Sequence, residues 1–350
     1  MTAMRSVPMS RFVHLVAFVL TLGAASAQPL TPVTLGMTGT TTDVGFYVAD
    51  KKGFFRAEGL DVKLTMFDSA ARMITLFASG ALDVGGGGPS AGLYNAVARG
   101  VDIRMVADKN QTVPGRGAQF VVVRRDLVDS GRYKTLADLR GMKIVSPAPG
   151  GSSTTTLDKV FEAAGITVKD VERVFMPLPQ QVAALANKAV DGALMAEPMV
   201  SEVVKLGIGA RVLADDMVYP NHQVATVFYS GQFAKKTEAA RAFMRAYLRG
   251  VRAYTDAIVD ARFVGPEGDE IIAIIAEYSH LKNADVIRSI TPAALNPDGA
   301  LHMPSLREDL EIFRRQGLIE GAVSVEQAVD ASFAQEAVKA LGAYKPPSGR

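Results

Sequence analysis

The chain has 350 residues, with 38 Lys and Arg against 36 Asp and Glu, 48% hydrophobic residues and no Cys. It is long enough for two cores. The near-even charge argues against nucleic acid or an anionic membrane surface as partner, and the absent thiol excludes disulfides, zinc–thiolate sites and a cysteine nucleophile.

Residues 1–27 read as an export leader. Arg5 and Arg11 flank the start of an apolar run from Phe12 to Leu22, and Ala25-Ser26-Ala27 offers small residues for cleavage before Gln28. The run is too short to span a bilayer. Cleavage after Ala27 leaves 36 basic and 36 acidic residues.

The next stretch, 28–118, reads as the first part of one lobe. Val33 to Met37 alternates like a strand. Val44 to Arg56 is helical, stopped by Gly59. Leu60 to Phe67 is a strand, Ser69 to Ser79 a helix, Asp83 to Gly86 a short strand, Pro89 to Arg99 a helix, and Ile103 to Lys109 a strand. Residues 119–215 repeat the alternation as a second lobe. Its strands are Phe120–Arg124, Met142–Ser146, Val171–Phe175, Gly192–Met195 and Arg211–Ala214. Its helices are Thr154–Ala164, Pro179–Ala189 and Pro198–Leu206. Strands alternating with helices predict parallel sheets.

Pro, Gly and polar residues cluster at 111–117 and 215–223, where the chain crosses between the lobes. Residues 216–340 return to the first lobe. Val224 to Tyr229 is the returning strand. The pattern then turns purely helical, with capping boxes at Ser305-Leu306-Arg307-Glu308 and Ser324-Val325-Glu326-Gln327. Residues 341–350 form a loose end.

The two lobes share a written pattern. Phe55, Ala57, Gly59, Val62 and Lys63 match Phe161, Ala163, Gly165, Val168 and Lys169. Phe67, Ala78, Ala81 and Asp83 then match Phe175, Ala186, Ala189 and Asp191. Both copies read helix, glycine stop, strand, helix, short strand. Two similar lobes leave a cleft between them, and ligand sites favour such interfaces.

The polar loops fall at the strand ends that face such a cleft. Gly85-Gly86-Gly87-Gly88-Pro89-Ser90 leads into a helix. Its glycines allow positive φ and close approach of a ligand to the backbone, and the helix start offers free N–H groups. Pro149-Gly150-Gly151-Ser152-Ser153-Thr154 is its counterpart. Thr38 and Thr40 follow the first strand, and Phe46 opens the next helix as a candidate apolar wall. Gln111 ends a strand. Glu197, before Pro198, is placed to accept a ligand N–H. The ligand-binding candidates are therefore Thr38, Thr40, Phe46, Gly87, Gly88, Ser90, Gln111, Gly151, Ser152, Ser153 and Glu197. No catalytic residue, metal or cofactor is expected.

The run from Val48 to Val62, VADKKGFFRAEGLDV, resembles the opening of the NMT1/THI5-like and SsuA-like family of periplasmic substrate-binding proteins. Ser79 to Gly85, Leu136 to Ile144, Gly151-Ser152-Ser153, and Asp191-Gly192-Ala193 with Glu197-Pro198 are similar to the same family, over about residues 33–260. The resemblance implies a type II periplasmic-binding fold, α/β, with two hinged lobes and a helical tail on the first. It implies the solute-binding component of an ABC importer in the periplasm. Its partners would be a small sulfonate, nitrate, carboxylate or pyrimidine ligand and an inner-membrane permease. A monomer is expected, and no nucleic-acid partner. Gly45 stands where many relatives carry Pro, the chain has no Trp to stack on a ligand ring, and no Arg lies in the loops.

An enzyme reading competes. Gly88-Pro89-Ser90-Ala91-Gly92 satisfies G-x-S-x-G between a strand and a helix, the setting of a nucleophile elbow. A secreted serine hydrolase would need His280 or His302 as base. No His-Gly oxyanion motif precedes the elbow. His222, His280 and His302 read as surface histidines of polar loops.

Overall fold

Asp83 and Asp191, which the repeat places in register, do the same thing in two different sheets. In the computed structural model, Asp83 Oδ2 accepts from Thr34 N at 2.9 Å and Asp191 Oδ2 from Lys143 N at 2.9 Å. Each carboxylate ties the start of one strand to its parallel neighbour. The structure describes residues 29–347. The export leader and the last three residues lie outside the described residues.

The first stretch forms β1 (Thr31–Met37), α1 (Val44–Lys51), α2 (Phe54–Ala57), β2 (Leu60–Met66), α3 (Ile74–Ser79), β3 (Val84–Gly87), α4 (Ala91–Ala98) and β4 (Ile103–Gln111). The chain then builds β5 (Gln119–Arg124), α5 (Arg125–Asp129), β6 (Lys143–Ser146), α6 (Ser152–Ala164), β7 (Glu172–Phe175), α7 (Leu178–Ala186), β8 (Gly192–Ala196), α8 (Met199–Lys205) and β9 (Gly209–Ala214). It returns as β10 (Gln223–Ser230). The tail holds α9 (Gly231–Lys235), α10 (Thr237–Asp256), β11 (Ile258–Val259), β12 (Arg262–Phe263), α11 (Gly265–Tyr278), α12 (Ala284–Ser289), α13 (Met303–Arg315) and α14 (Ser332–Leu341).

One sheet runs β2-β1-β3-β10-β4 and the other β7-β6-β8-β5-β9. Each has four strands running one way and one, β10 or β5, running against them in the equivalent fourth position. These are two α/β lobes. Each sheet is covered on both faces, which fits the nearly continuous apolar runs of β5 and β8. The largest core joins β1 and β10 to α1, α10, α11 and α14, with Phe46, Phe243 and Tyr247 fully buried. Burying one such ring stabilises by roughly 1.5–3 kcal/mol. Gly45 faces Gly250 where α1 crosses α10, and a Cβ on Gly250 would collide with the Gly45 carbonyl. Gly45 thus lies where the two helices pack backbone against backbone.

The structure departs from the sequence reading in places. The helix expected over 44–56 breaks at Gly53, whose φ is +70°. In the second repeat the residues after Gly165 form a 3-10 turn, Val168–Asp170, before β7 begins. The tail is not purely helical, because β11 and β12 form a hairpin. The Ser305 capping box does not form. α13 starts at Met303, and His302 is its N-cap. Of the Ser324 box one bond forms, the Gln327 side chain accepting from Ser324 N at 2.7 Å.

Candidate functional site

The C-terminal strand ends of both sheets meet across a cleft of about 790 Å³, part of it open to solvent. One wall carries Thr38, Thr40, Gly87, Gly88 and Ser90, and the other carries Gly151, Ser152 and Ser153. The lobes touch beside it. Ala91 N donates to Gly150 O at 2.8 Å, and Thr41 N donates to Glu197 O at 3.2 Å.

The glycine run works differently from the expectation. Gly85 to Gly88 have no positive φ, and Gly85–Gly87 lie in β3. They are needed for close packing. A Cβ on Gly86 would meet Phe46 and Lys109, and one on Gly88 would meet Ser152 Oγ across the cleft. Only the second loop uses a left-handed glycine, Gly150 at φ +65°.

Two helix starts open onto the space. Ser90 caps α4, its Oγ accepting from Leu93 N at 3.1 Å. Its own proton remains available to a ligand. The N-cap of α6 is Gly151, which has no side chain to satisfy the first-turn N–H groups. Ser152 Oγ lies 3.5 Å from Gln119 Nε2. Ser153 is 6% exposed, lines the cleft, and has no side-chain partner among the described residues. This end of a 13-residue helix suits a negatively charged or strongly polar group.

Three candidates fall elsewhere. Phe46 is fully buried beneath the cleft floor, against Tyr247 at 5.0 Å between ring centroids. Gln111 continues the ladder opposite Gln223, and its N–H donates to Ala294 O at 3.1 Å. Glu197 faces the other lobe with its carbonyl only. Its carboxylate turns inward to Arg211 and to Ser201 Oγ at 2.9 Å. Burial raises its pKa against those partners. A carboxylate so engaged offers no free acceptor to a ligand.

Sequence reasoning missed Lys109. It lines the cleft floor, is fully buried, and donates to Thr42 Oγ1 at 2.7 Å while its Nζ lies 2.8 Å from Asp43 Oδ1. Asp43 Oδ2 also accepts from Thr38 N at 3.0 Å and Thr40 N at 3.1 Å. A buried charge demands such compensation. The only signal in the sequence was a Lys inside an otherwise buried strand, β4.

The hydrolase alternative is not supported. Ser90 serves as a helix cap. His302 bonds Ser305, and His280 N donates to Gly39 O at 3.3 Å. His222 is not on the surface. It is fully buried against Asp309. Among the described residues no cluster of three or more His, Asp or Glu could hold a metal ion, and no helix is long and apolar enough to cross a membrane.

Comparison with solved structures agrees with this architecture. The ligand-binding component of an ABC-type import system from Staphylococcus aureus superposes with a TM-score of 0.73 at 15% identity, over 88% of this chain and 99% of that one. The alkanesulfonate-binding protein SsuA of Xanthomonas axonopodis pv. citri, bound to MOPS, gives 0.69 at 18% identity, over 86% and 98%. The periplasmic nitrate-binding protein NrtA of Synechocystis PCC 6803 gives 0.73 at 15%, over 89% of each chain. At these identities the likeness establishes the periplasmic-binding-protein fold. A Brucella abortus protein named only as a binding protein is 27% identical over 158 residues, 45% of this chain and 44% of that one. The chain thus spans about half the length of the curated relatives it matches. Residues 26–262 match the NMT1-like family, and the chain belongs to that family.

Proposed function

We propose that this protein is the solute-binding component of an ABC importer and that it closes its lobes on a small organic molecule bearing an oxyanion, a sulfonate or carboxylate before a pyrimidine. No bond is made or broken in the solute. The supporting observation is the uncapped start of α6, with the unpartnered Ser153 hydroxyl, facing Lys109 and Ser90 across one cleft. Lys109 is already neutralised by Asp43. The site therefore grips with hydrogen-bond donors and a helix end rather than with a free cation.

A pyrimidine fits less well. Among the described residues none of the lining side chains is aromatic, and Glu197 is occupied by Arg211. Nitrate would leave unfilled the apolar part of the wall, formed by Leu178, Leu194, Met195 and Val224. On this reading the chain is exported to the periplasm, with cleavage after Ala27, acts as a monomer, and hands its solute to a permease.

A thermal-shift panel of alkanesulfonates, aliphatic carboxylates, nitrate and aminopyrimidines tests the reading, followed by calorimetry. Ligand at 100 times its Kd adds about 2.7 kcal/mol to stability. A response to sulfonates or carboxylates supports it. A response to the pyrimidines alone, or to none of the panel, removes the oxyanion assignment.

A further inference from the structure

The second crossing carries a buried histidine that the cleft does not use. His222 sits one residue before β10 and is fully buried, as are Thr112, Thr155, Thr156 and Asp309 around it. Its Nε2 lies 3.0 Å from Asp309 Oδ2 and 3.4 Å from Thr155 Oγ1, and its Nδ1 lies 3.4 Å from Thr156 Oγ1. A carboxylate only accepts, so Nε2 carries a proton toward Asp309. Its backbone N–H donates to Thr112 Oγ1 at 2.8 Å on the first crossing. Tyr219 stacks on the ring at 4.2 Å and donates to Asp309 Oδ1 at 3.0 Å.

These partners belong to different bodies. Asp309 lies on α13, whose Leu306, Leu310 and Phe313 pack into the first lobe with Leu93 and Phe228. Thr155 and Thr156 are the fourth and fifth residues of α6, in the second lobe. Thr155 also donates to Ser152 O at 3.0 Å, at the cleft. Further along α6 the same seam continues. Lys159 pairs with Glu308 at 2.6 Å, and Asp158 Oδ1 accepts from Gln316 at 3.0 Å.

We propose that His222 and Asp309 form an interlobe pin that holds the ligand-facing end of α6 against the C-terminal helix α13. They act as positioning residues for the cleft and touch no solute. A buried, fully partnered polar network of this kind specifies one arrangement, because each broken link leaves an unsatisfied group. The pin goes beyond the solute reading and does not depend on which solute the cleft takes.

The chain has no native Cys, so Lys63→Cys and Lys169→Cys place two nitroxide labels, one on an exposed site of each lobe. Pulsed electron resonance on the full chain, without added ligand, gives the interlobe distance distribution. Thr155→Val with Thr156→Val removes the link from the α6 side at nearly constant shape. His222→Gln and Asp309→Asn remove it from the other side. The expected result is a narrow distribution in the parent and a broadened one in each variant. Combining His222→Gln with the two Thr→Val changes should broaden it no further than His222→Gln alone. A role confined to one lobe would lower the melting temperature and leave the distances unchanged. Unchanged distances in the Thr→Val variant, or effects that simply add, overturn the pin.

Discussion

Lys109 and Asp43 form a fully buried ion pair at 2.8 Å under the cleft. The two residues lie on different elements, β4 and the turn before α1. Removing one charge from such a pair strands the other, at a cost of roughly 3–5 kcal/mol. Lys109→Met should therefore lower the urea midpoint strongly. The double variant with Asp43→Asn should recover most of the loss, since Asn keeps an acceptor for Thr38 N and Thr40 N. A double-variant loss equal to the sum of the two single losses would show that the pair is not coupled.

The α6 end is a separable part of the site. Ser152→Ala with Ser153→Ala removes two hydroxyls at the helix start whose one protein partner among the described residues is Gln119 Nε2, 3.5 Å from Ser152 Oγ. Each hydrogen bond lost to the solute should cost roughly 0.5–1.5 kcal/mol, with the melting temperature of the free protein nearly unchanged. Calorimetry with whichever ligand the panel identifies provides the check. An unaltered Kd would remove these serines from the site.

The frame and the polar loops were legible because local chemistry writes them. Glycine stops and helix starts act over a few residues, whereas the Asp83/Asp191 repeat marks one strand start in each sheet through bonds to Thr34 and Lys143, 49 and 48 residues away. What failed to show depends on distant partners. Nothing near Lys109 in sequence announces Asp43. Glu197 was placed at the right strand end, and its carbonyl does meet the other lobe, but its side chain follows Arg211 on β9. His222 read as a surface residue because its neighbours are polar. It is buried because α6 and α13 close over the crossing from two sides. The sequence reading took the glycine run to allow positive φ and close approach of a ligand, since its contacts come from distant residues. Its φ values are ordinary, and the crowding of Phe46, Lys109 and Ser152 is what excludes side chains there.

The crossings also carry a pH response. Asp215 accepts from Ala118 N at 2.9 Å, and burial pushes its pKa up to about 7. Asp108 is likewise raised to about 7 by burial. The ordinary value for an Asp is about 3.9. A raised folded-state value means that the fold favours the protonated form. The stabilisation is fully present below about pH 4 and is lost as pH rises through 7. Asp215→Asn cannot titrate. Its melting temperature should therefore gain on the parent's as pH goes from about 5 to 8. Parallel curves over that range would contradict the shifted Asp215.

Gly88 lies where the two lobes approach each other, with Ser152 opposite it. Its φ lies outside the left-handed region, so Ala there adds no backbone strain. The added methyl would instead overlap Ser152 Oγ and lie 3.1 Å from Val224 O. The first contact crosses the cleft, so opening relieves the clash with Ser152, while the contact with Val224 O lies within the first lobe and stays. Overpacking of this kind costs about 1–3 kcal/mol. Gly88→Ala should weaken ligand binding roughly 5- to 150-fold, at about 1.4 kcal/mol per tenfold, while the unfolding midpoint of the free protein stays close to the parent's. Ser152→Ala in the same chain removes the oxygen that the methyl strikes and should recover part of the affinity, although Ser152→Ala alone weakens binding. Calorimetry on the four proteins reads this sign reversal directly. If Ser152→Ala weakens binding equally in both backgrounds, Gly88 and Ser152 do not meet when the lobes close.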